Sequence, residues 1–252
     1  MESSIIKMLG NKKVLGIVLA RSGSKGLVGK NYKLLDGKPL VQYAIEAGTQ
    51  SKYLDDVILS SDCDKCIEIA NNLGINVPFK RPDYLSGDKV WSADVIIHAI
   101  DYLEKHGNSY DFFVLLEPTS PLRNANDVDK ALELIIEHKA TSLVSVCQSE
   151  DQHPNFMFKE GKNKRIETWA GTRFKQLRRQ DIDKAYFLDG SVYISEIQSF
   201  LSTRGFCHDD TIAYIVPKWK SYEIDDIWDF LCVEAILTYR KNNIGNRDEE
   251  KK

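Results

Sequence analysis

The segment Arg21-Ser-Gly-Ser-Lys-Gly-Leu-Val-Gly-Lys30-Asn31 is where chemistry is densest. Its three glycines let backbone amides approach and line an anion. Arg21, Lys25 and Lys30 bring positive charge suited to a nucleoside triphosphate. No Gly-Lys-Ser/Thr is present and the glycine spacing differs from the dinucleotide fingerprint, so neither a P-loop nor that phosphate turn is written here. The competing reading is an ordinary basic surface loop. Position favours phosphate, because the segment directly follows the apolar run Val14–Ala20.

Far along the chain, Glu223-Ile-Asp225-Asp226 precedes an apolar helix. In extended chain Glu223 and Asp225 point the same way, which suits Mg²⁺. Helix capping competes, with Asp226 the expected cap, and spacing alone leaves the two open. Cys63-Asp-Lys-Cys66 lacks the surroundings of a redox motif and reads as structural. His98, inside Val95–Ile100, reads as a satisfied core histidine. His153-Pro154 is either a partner contact or without a role. Arg178-Arg179 can hold a substrate carboxylate bidentately or face solvent, and solvent is the simpler reading.

Elements must bring these groups together. Strands are expected at Val14–Ala20, Asp56–Ser61, Ile75–Phe79, Phe112–Leu116 and Thr141–Cys147. Between them, helices are expected at Pro39–Ser51, Asp64–Leu73, Ser92–Lys105 and Asn126–His138. Such alternation means a parallel sheet covered on both faces, with ligands beyond the carboxyl ends of its strands. The loops at Arg21, Asp62 and Glu117 share that edge. Residues 148–184 are polar and irregular, an insertion within one domain spanning 13–240. Alternation resumes with a strand at Ala185–Ile194, a helix from Ser195, a strand at Thr211–Val216 and a helix at Ile227–Arg240. Residues 1–12 and 241–252 are expected to fray.

Composition narrows the classes. At 252 residues and 42% hydrophobic, the chain can bury a full core and is not disordered. Its longest apolar runs fall short of the ~20 residues of a membrane span. With 34 basic against 37 acidic side chains, a dedicated nucleic-acid binder is not expected. Five cysteines, an odd number at low density, point to a reducing cytoplasm. A signal peptide from Lys12 and Lys13 into Val14–Ala20 is set aside, because that run is at the lower limit of length and Arg21 follows at once.

Five blocks together resemble the acylneuraminate cytidylyltransferases, which make CMP-activated sialic and related acids. They are Leu19–Asn31; Arg81-Pro82 with Asp88 and Ser92; Pro118-Thr-Ser-Pro-Leu-Arg123; Gly190-Ser-Val-Tyr-Ile194; and Glu223-Ile-Asp225. The resemblance runs from Val14 to Tyr239. It implies a Rossmann-like, three-layer α/β nucleotide-diphospho-sugar transferase fold with a mostly parallel sheet. It also implies Mg²⁺ dependence and a homodimer whose inserted segment reaches the partner's site. By position, Arg21, Lys25, Lys30 and Asn31 would bind CTP phosphates and ribose, while Leu19, Ala20, Arg81 and Ser92 would surround cytosine. Asp225, with Glu223, would hold metal. Glu117, Arg179, Tyr193 and Phe206 would meet the sugar acid.

Three departures bear on the substrate. Glu117 stands where Gln is usual. Phe187 stands where Arg is common, with Asp189 for the Asn before Gly190. Glu223 stands where Asp is usual. The first two point away from plain N-acetylneuraminate, toward a bacterial nine-carbon relative of legionaminate type. The implied reaction is in-line attack of the anomeric hydroxyl on the α-phosphorus of CTP, with Arg21 and Lys30 stabilising charge and Asp225 one candidate base. The alternatives are an eight-carbon keto acid substrate, or a catalytically silent binding homologue.

Overall fold

The computed structural model describes residues 12–150, 152–169, 178 and 182–243. Ten strands are described: β1 (Val14–Ala20), β2 (Leu34–Leu35), β3 (Lys38–Pro39), β4 (Asp56–Ser61), β5 (Phe112–Leu116), β6 (Ser142–Ser149), β7 (Phe158–Glu160), β8 (Ile166–Thr168), β9 (Ala185–Glu196) and β10 (Ile212–Val216). The α-helices are α1 (Leu40–Thr49), α2 (Asp64–Asn72), α3 (Ser92–Lys105), α4 (Ala125–His138), α5 (Ile197–Thr203) and α6 (Ile227–Asn242). The main sheet has six strands in the order β10-β6-β9-β5-β1-β4. All neighbours are parallel except β9, which runs antiparallel to both β5 and β6.

Side-chain alternation along β1 divides the core. Val14, Val18 and Ala20 face α1, α2 and α4, whereas Leu15 and Ile17 face α3 and α5. A third cluster, with Leu35, Leu40, Leu122, Ile224, Phe230 and Val233, ties α6 to the β2–β3 hairpin. Helix α6 thereby anchors the chain immediately after Glu223 and Asp225.

Several expectations are corrected. Ile75–Phe79 forms one isolated bridge, Ile58 with Asn76, and a second, Ser61 with Lys80, lies just beyond it. Pro78 cannot donate to a ladder, which prevents a full strand. The helix expected from Ser195 starts at Ile197, because Ser195 still pairs with Phe113 and Ser142 in the sheet. The β2–β3 hairpin turns through Asp36 and Gly37, both at positive φ, the pattern of a two-residue hairpin loop. Residues 148–184, expected to be irregular, contain the β7–β8 hairpin. His153 pins the base of that segment: its Nε2 lies 2.8 Å from the Asp183 carbonyl, and its Nδ1 accepts from Asn155 N at 3.1 Å. Lys241, expected to fray, lies in α6 and pairs with Asp36 at 2.6 Å. His98 packs edge-on against Phe79, with ring centroids 4.6 Å apart, but its Nδ1 has no hydrogen-bond partner among the described residues.

Candidate active site

A cavity of about 490 Å³ opens beyond the carboxyl ends of β1 and β5. Small-molecule pockets commonly span ~300–1,000 Å³. Leu19, Arg21, Lys25, Lys30, Asn31, Arg81, Ser92, Glu117 and Asp225 all line it. The cationic loop and the acidic segment, some 200 residues apart in sequence, thus meet at one edge of the sheet.

The loop after β1 is held from several sides. Asp62 accepts from Ser22 N at 2.9 Å and from the Ser22 hydroxyl. Asn31 is buried and donates from Nδ2 to the Arg21 carbonyl at 2.9 Å, so its side chain braces the loop. A Cβ on Gly26 would run into the Asp225 carbonyl, so this glycine serves close packing of the loop on the 225 backbone. Lys30 Nζ, nearly withdrawn from solvent, donates to the Ile224 carbonyl at 2.6 Å and to Asp225 Oδ1 at 3.1 Å. Arg21 Nη1 and Lys25 Nζ both contact Asp88, at 2.9 and 2.6 Å. The hydrogen bond from Lys25, helped by Arg21, holds the Asp88 carboxyl below its ordinary range.

Arg81 is buried and donates through Nε to Ser60 Oγ at 3.1 Å, and through Nη2 to the Ser60 carbonyl. Burial pushes its guanidinium down to about 10. Ser92 opens α3 at the cavity wall. The Ala20 side chain is a correction: it is fully buried in the core and does not line the cavity.

Capping falls to one of the two neighbouring aspartates. Asp226 caps α6, accepting from Trp228 N at 2.7 Å and Asp229 N at 3.1 Å. Asp229 in turn receives the amides of Asp225 and Asp226. Asp225 is thereby left to the cavity. Glu223 does not line the cavity; its carboxylate lies against Gly190, where a Cβ would collide with Oε1. Loss of solvent there, then the charge of Glu117, pushes the Glu223 carboxyl up to about 7. Glu117 is also raised, chiefly by burial. Among the described residues no group of three or more His, Cys, Asp or Glu is arranged to hold a metal.

Tyr193 stands beside these acids. Burial first, then the charges of Glu223, Glu117 and Asp189, push its hydroxyl up. Its ring lies 5.1 Å from that of Phe206, which continues into Phe200 and Phe113. This aromatic group sits on the α3–α5 side of the sheet, outside the cavity wall. Arg179 lies outside the described residues. Sequence reasoning assigned no role to Asp62, and none to Asp88 or Arg123 beyond membership of a motif. Only contacts from separate loops reveal what they do.

A family model described as Cytidylyltransferase matches residues 15–196. The N-acylneuraminate cytidylyltransferase of Escherichia coli is 33% identical over 248 residues, covering 95% of this chain and 57% of that protein. The chain thus spans little more than half the length of this relative. The pseudaminic acid cytidylyltransferase of Campylobacter jejuni is 32% identical, with 92% and 98% covered. The CMP-N,N'-diacetyllegionaminic acid synthase of Legionella pneumophila is 31% identical, with 89% and 96% covered. A solved structure of CMP:2-keto-3-deoxy-manno-octonic acid synthetase complexed with CTP superposes with a TM-score of 0.68 at 14% identity, over 90% of this chain and 99% of that one. This last likeness shows the shared fold, a Rossmann-like α/β nucleotidyltransferase architecture. Matched by the family model over most of its length, and more than 30% identical to relatives it covers almost end to end, the chain belongs to the cytidylyltransferase family.

Proposed function

We propose that the chain transfers the cytidylyl group of CTP to the anomeric hydroxyl of a nine-carbon α-keto sugar acid, of sialic or legionaminic type. The observation that carries this reading is the single cavity in which Arg21, Lys25 and Lys30 face Glu117 and Asp225. The anomeric oxygen bonds to the α-phosphorus, the bond to the β-phosphate oxygen breaks, and pyrophosphate leaves. Arg21 and Lys25 exchange Asp88 for phosphate oxygens. Lys30, fixed by the Ile224 carbonyl, meets the charge that develops on the phosphates. Most of the acceleration is assigned to positioning and electrostatics. Asp225, exposed at the cavity, is the candidate acceptor of the hydroxyl proton.

Magnesium belongs to the same proposal. Glu117 raises the Glu223 carboxyl and Asp225 raises both, a crowding of like charge that a cation relieves. Asp225 and Glu223 would hold Mg²⁺, which accepts few carboxylates and completes its shell with water and phosphate oxygens. When bound it would withdraw charge from the phosphates.

The homodimer is supported by apolar surface at the insertion. Phe158, Ile166 and Trp169 on or beside the β7–β8 hairpin, and Tyr186, Phe187 and Leu188 on β9, are all exposed. A cytoplasmic setting is supported by the five free cysteines. Among the described residues no helix is long and apolar enough to cross a membrane.

The test is pyrophosphate release with CTP, UTP and GTP against N-acetylneuraminic, N,N'-diacetyllegionaminic, pseudaminic and 3-deoxy-manno-octulosonic acids and a set of sugar phosphates, with Mg²⁺. Turnover with CTP and a nine-carbon acid is expected. Preference for the eight-carbon acid, turnover with sugar phosphates alone, or none with any acceptor overturns the reading.

A further inference from the structure

We infer that Arg123 is a positioning residue that fixes the spacing between the two walls of the sugar-acid site, an inference that rests on the reaction proposed above. Arg123 ends the loop that follows β5 and is 3% exposed. Its Nη1 donates to the Glu117 carbonyl at 3.1 Å and to the Ser191 carbonyl at 2.8 Å. Glu117 opens one wall. Ser191 follows Asp189 and Gly190 on β9, the strand that receives Glu223 and carries Tyr193. One nitrogen therefore joins the acid-bearing loop to the acid-bearing strand.

The rest of the guanidinium shows that this tie is not incidental. Arginine is usually buried to grip a carboxylate with two parallel hydrogen bonds. Three carboxylates act on Arg123, those of Asp127, Glu117 and Asp189, yet it hydrogen-bonds to none. Asp127 is committed elsewhere, to Lys220 at 2.5 Å and to the Tyr214 hydroxyl at 3.1 Å. Asp189 accepts from Ser191 N at 2.9 Å.

Nε and Nη2 of Arg123 have no partner among the described residues, nor do the hydroxyls of Ser120 and Ser191. Four of the eight such buried atoms thus belong to Arg123, to Ser120 in its own loop and to Ser191, whose carbonyl it holds. A buried guanidinium bonded to the two carbonyls where the loop and the strand meet, and to none of the nearby carboxylates, is held for geometry rather than for pairing.

The experiment measures steady-state pyrophosphate release with CTP and whichever nine-carbon acid the wild type turns over fastest. Arg123→Met, similar in length and uncharged, is expected to raise KM for the sugar acid at least about tenfold while KM for CTP stays within about twofold. Arg123→Lys, which can still reach one carbonyl, should fall between. Thermal melts confirm that the variants are folded. A folded Arg123→Met with wild-type KM for the acid, or with both KM values raised in parallel, overturns the inference. Should the methionine variant not fold, an unchanged acid KM in Arg123→Lys overturns it equally. Wild-type silence with every acid overturns the proposed reaction and this role with it, whereas an active wild type with an indifferent variant overturns this role alone.

Discussion

The proposed nucleotide and sugar sides of the site carry charge in opposite ways. On the first, Arg21 and Lys25 have side chains 38% and 82% exposed, and both are paired with Asp88. On the second, Glu117 and Asp189 crowd Glu223, Asp225 acts on both glutamates, and both are pushed up by lost solvent and like charge. Exposed ion pairs contribute little and exchange partners readily. Acids that have lost part of their solvation beside like charges respond strongly to a small displacement or a bound cation. One half of the site is therefore built for exchange and the other for fixed geometry. Lys30 joins the two, since it sits on the phosphate loop yet bonds to the 224–225 backbone and side chain.

That junction is where the comparison is broken most severely. Lys30→Ala removes the fixed cation and the tie to Ile224, and should lower kcat/KM for pyrophosphate release about 100- to 1,000-fold. A loss below tenfold would move the electrostatic burden to Arg21. Next comes Gly190→Ala on the fixed side. The added methyl meets only the end of the flexible Glu223 side chain, so the fold should survive with little change in Tm. Glu223 must move, however, and turnover should fall about 10- to 100-fold. A variant with full activity would show that the position of Glu223 does not matter.

Glu117→Gln tests the crowding itself. With one charge removed, the order of preference among the panel acids should change, by about tenfold for the most affected acid, while KM for CTP holds. Stability gives an independent reading. The Glu117 carboxyl titrates above its ordinary 4.5 in the folded chain, so folding favours the protonated form. Its contribution is present below that value and is lost as pH rises through the folded one. Glutamine has no proton to lose. The Tm gain of Glu117→Gln over wild type should therefore be small near pH 4 and larger near pH 7.5, and an equal gain at both would contradict the assignment.

The same contrast explains what could be read from the sequence. Asp56–Ser61, Ser92–Lys105 and Phe112–Leu116 match the expected elements residue for residue, because apolar periodicity reports burial directly. Asp36-Gly37 carries the local signal of a two-residue hairpin, and Pro78 interrupts any ladder at Ile75–Phe79. On the nucleotide side the cations lie within ten residues, so their chemistry was contiguous and legible. The sugar side is assembled from the loop after β5, from β9 and from the segment before α6. No local pattern announces that Arg123 reaches Ser191 or that Gly190 makes room for Glu223. Asp88 fell between these cases, visible within a motif but silent about which cations it would meet.

Asp88 also supplies the smallest and sharpest test of exchange. It holds Arg21 and Lys25 on the wall of the cavity where the proposed triphosphate binds. If it is a placeholder anion, CTP must displace it, and part of the binding energy is spent in breaking those contacts. Asp88→Asn should then lower KM for CTP about two- to fivefold, the range of an exposed ion pair. The difference should shrink as ionic strength rises, because screening weakens the competing pair in the wild type. KM for the sugar acid should not respond. If Asp88 instead orients the two cations for phosphate, the same substitution raises KM for CTP. The direction of that change thus decides whether Arg21 and Lys25 are loosely occupied or, like the acids opposite them, set in advance.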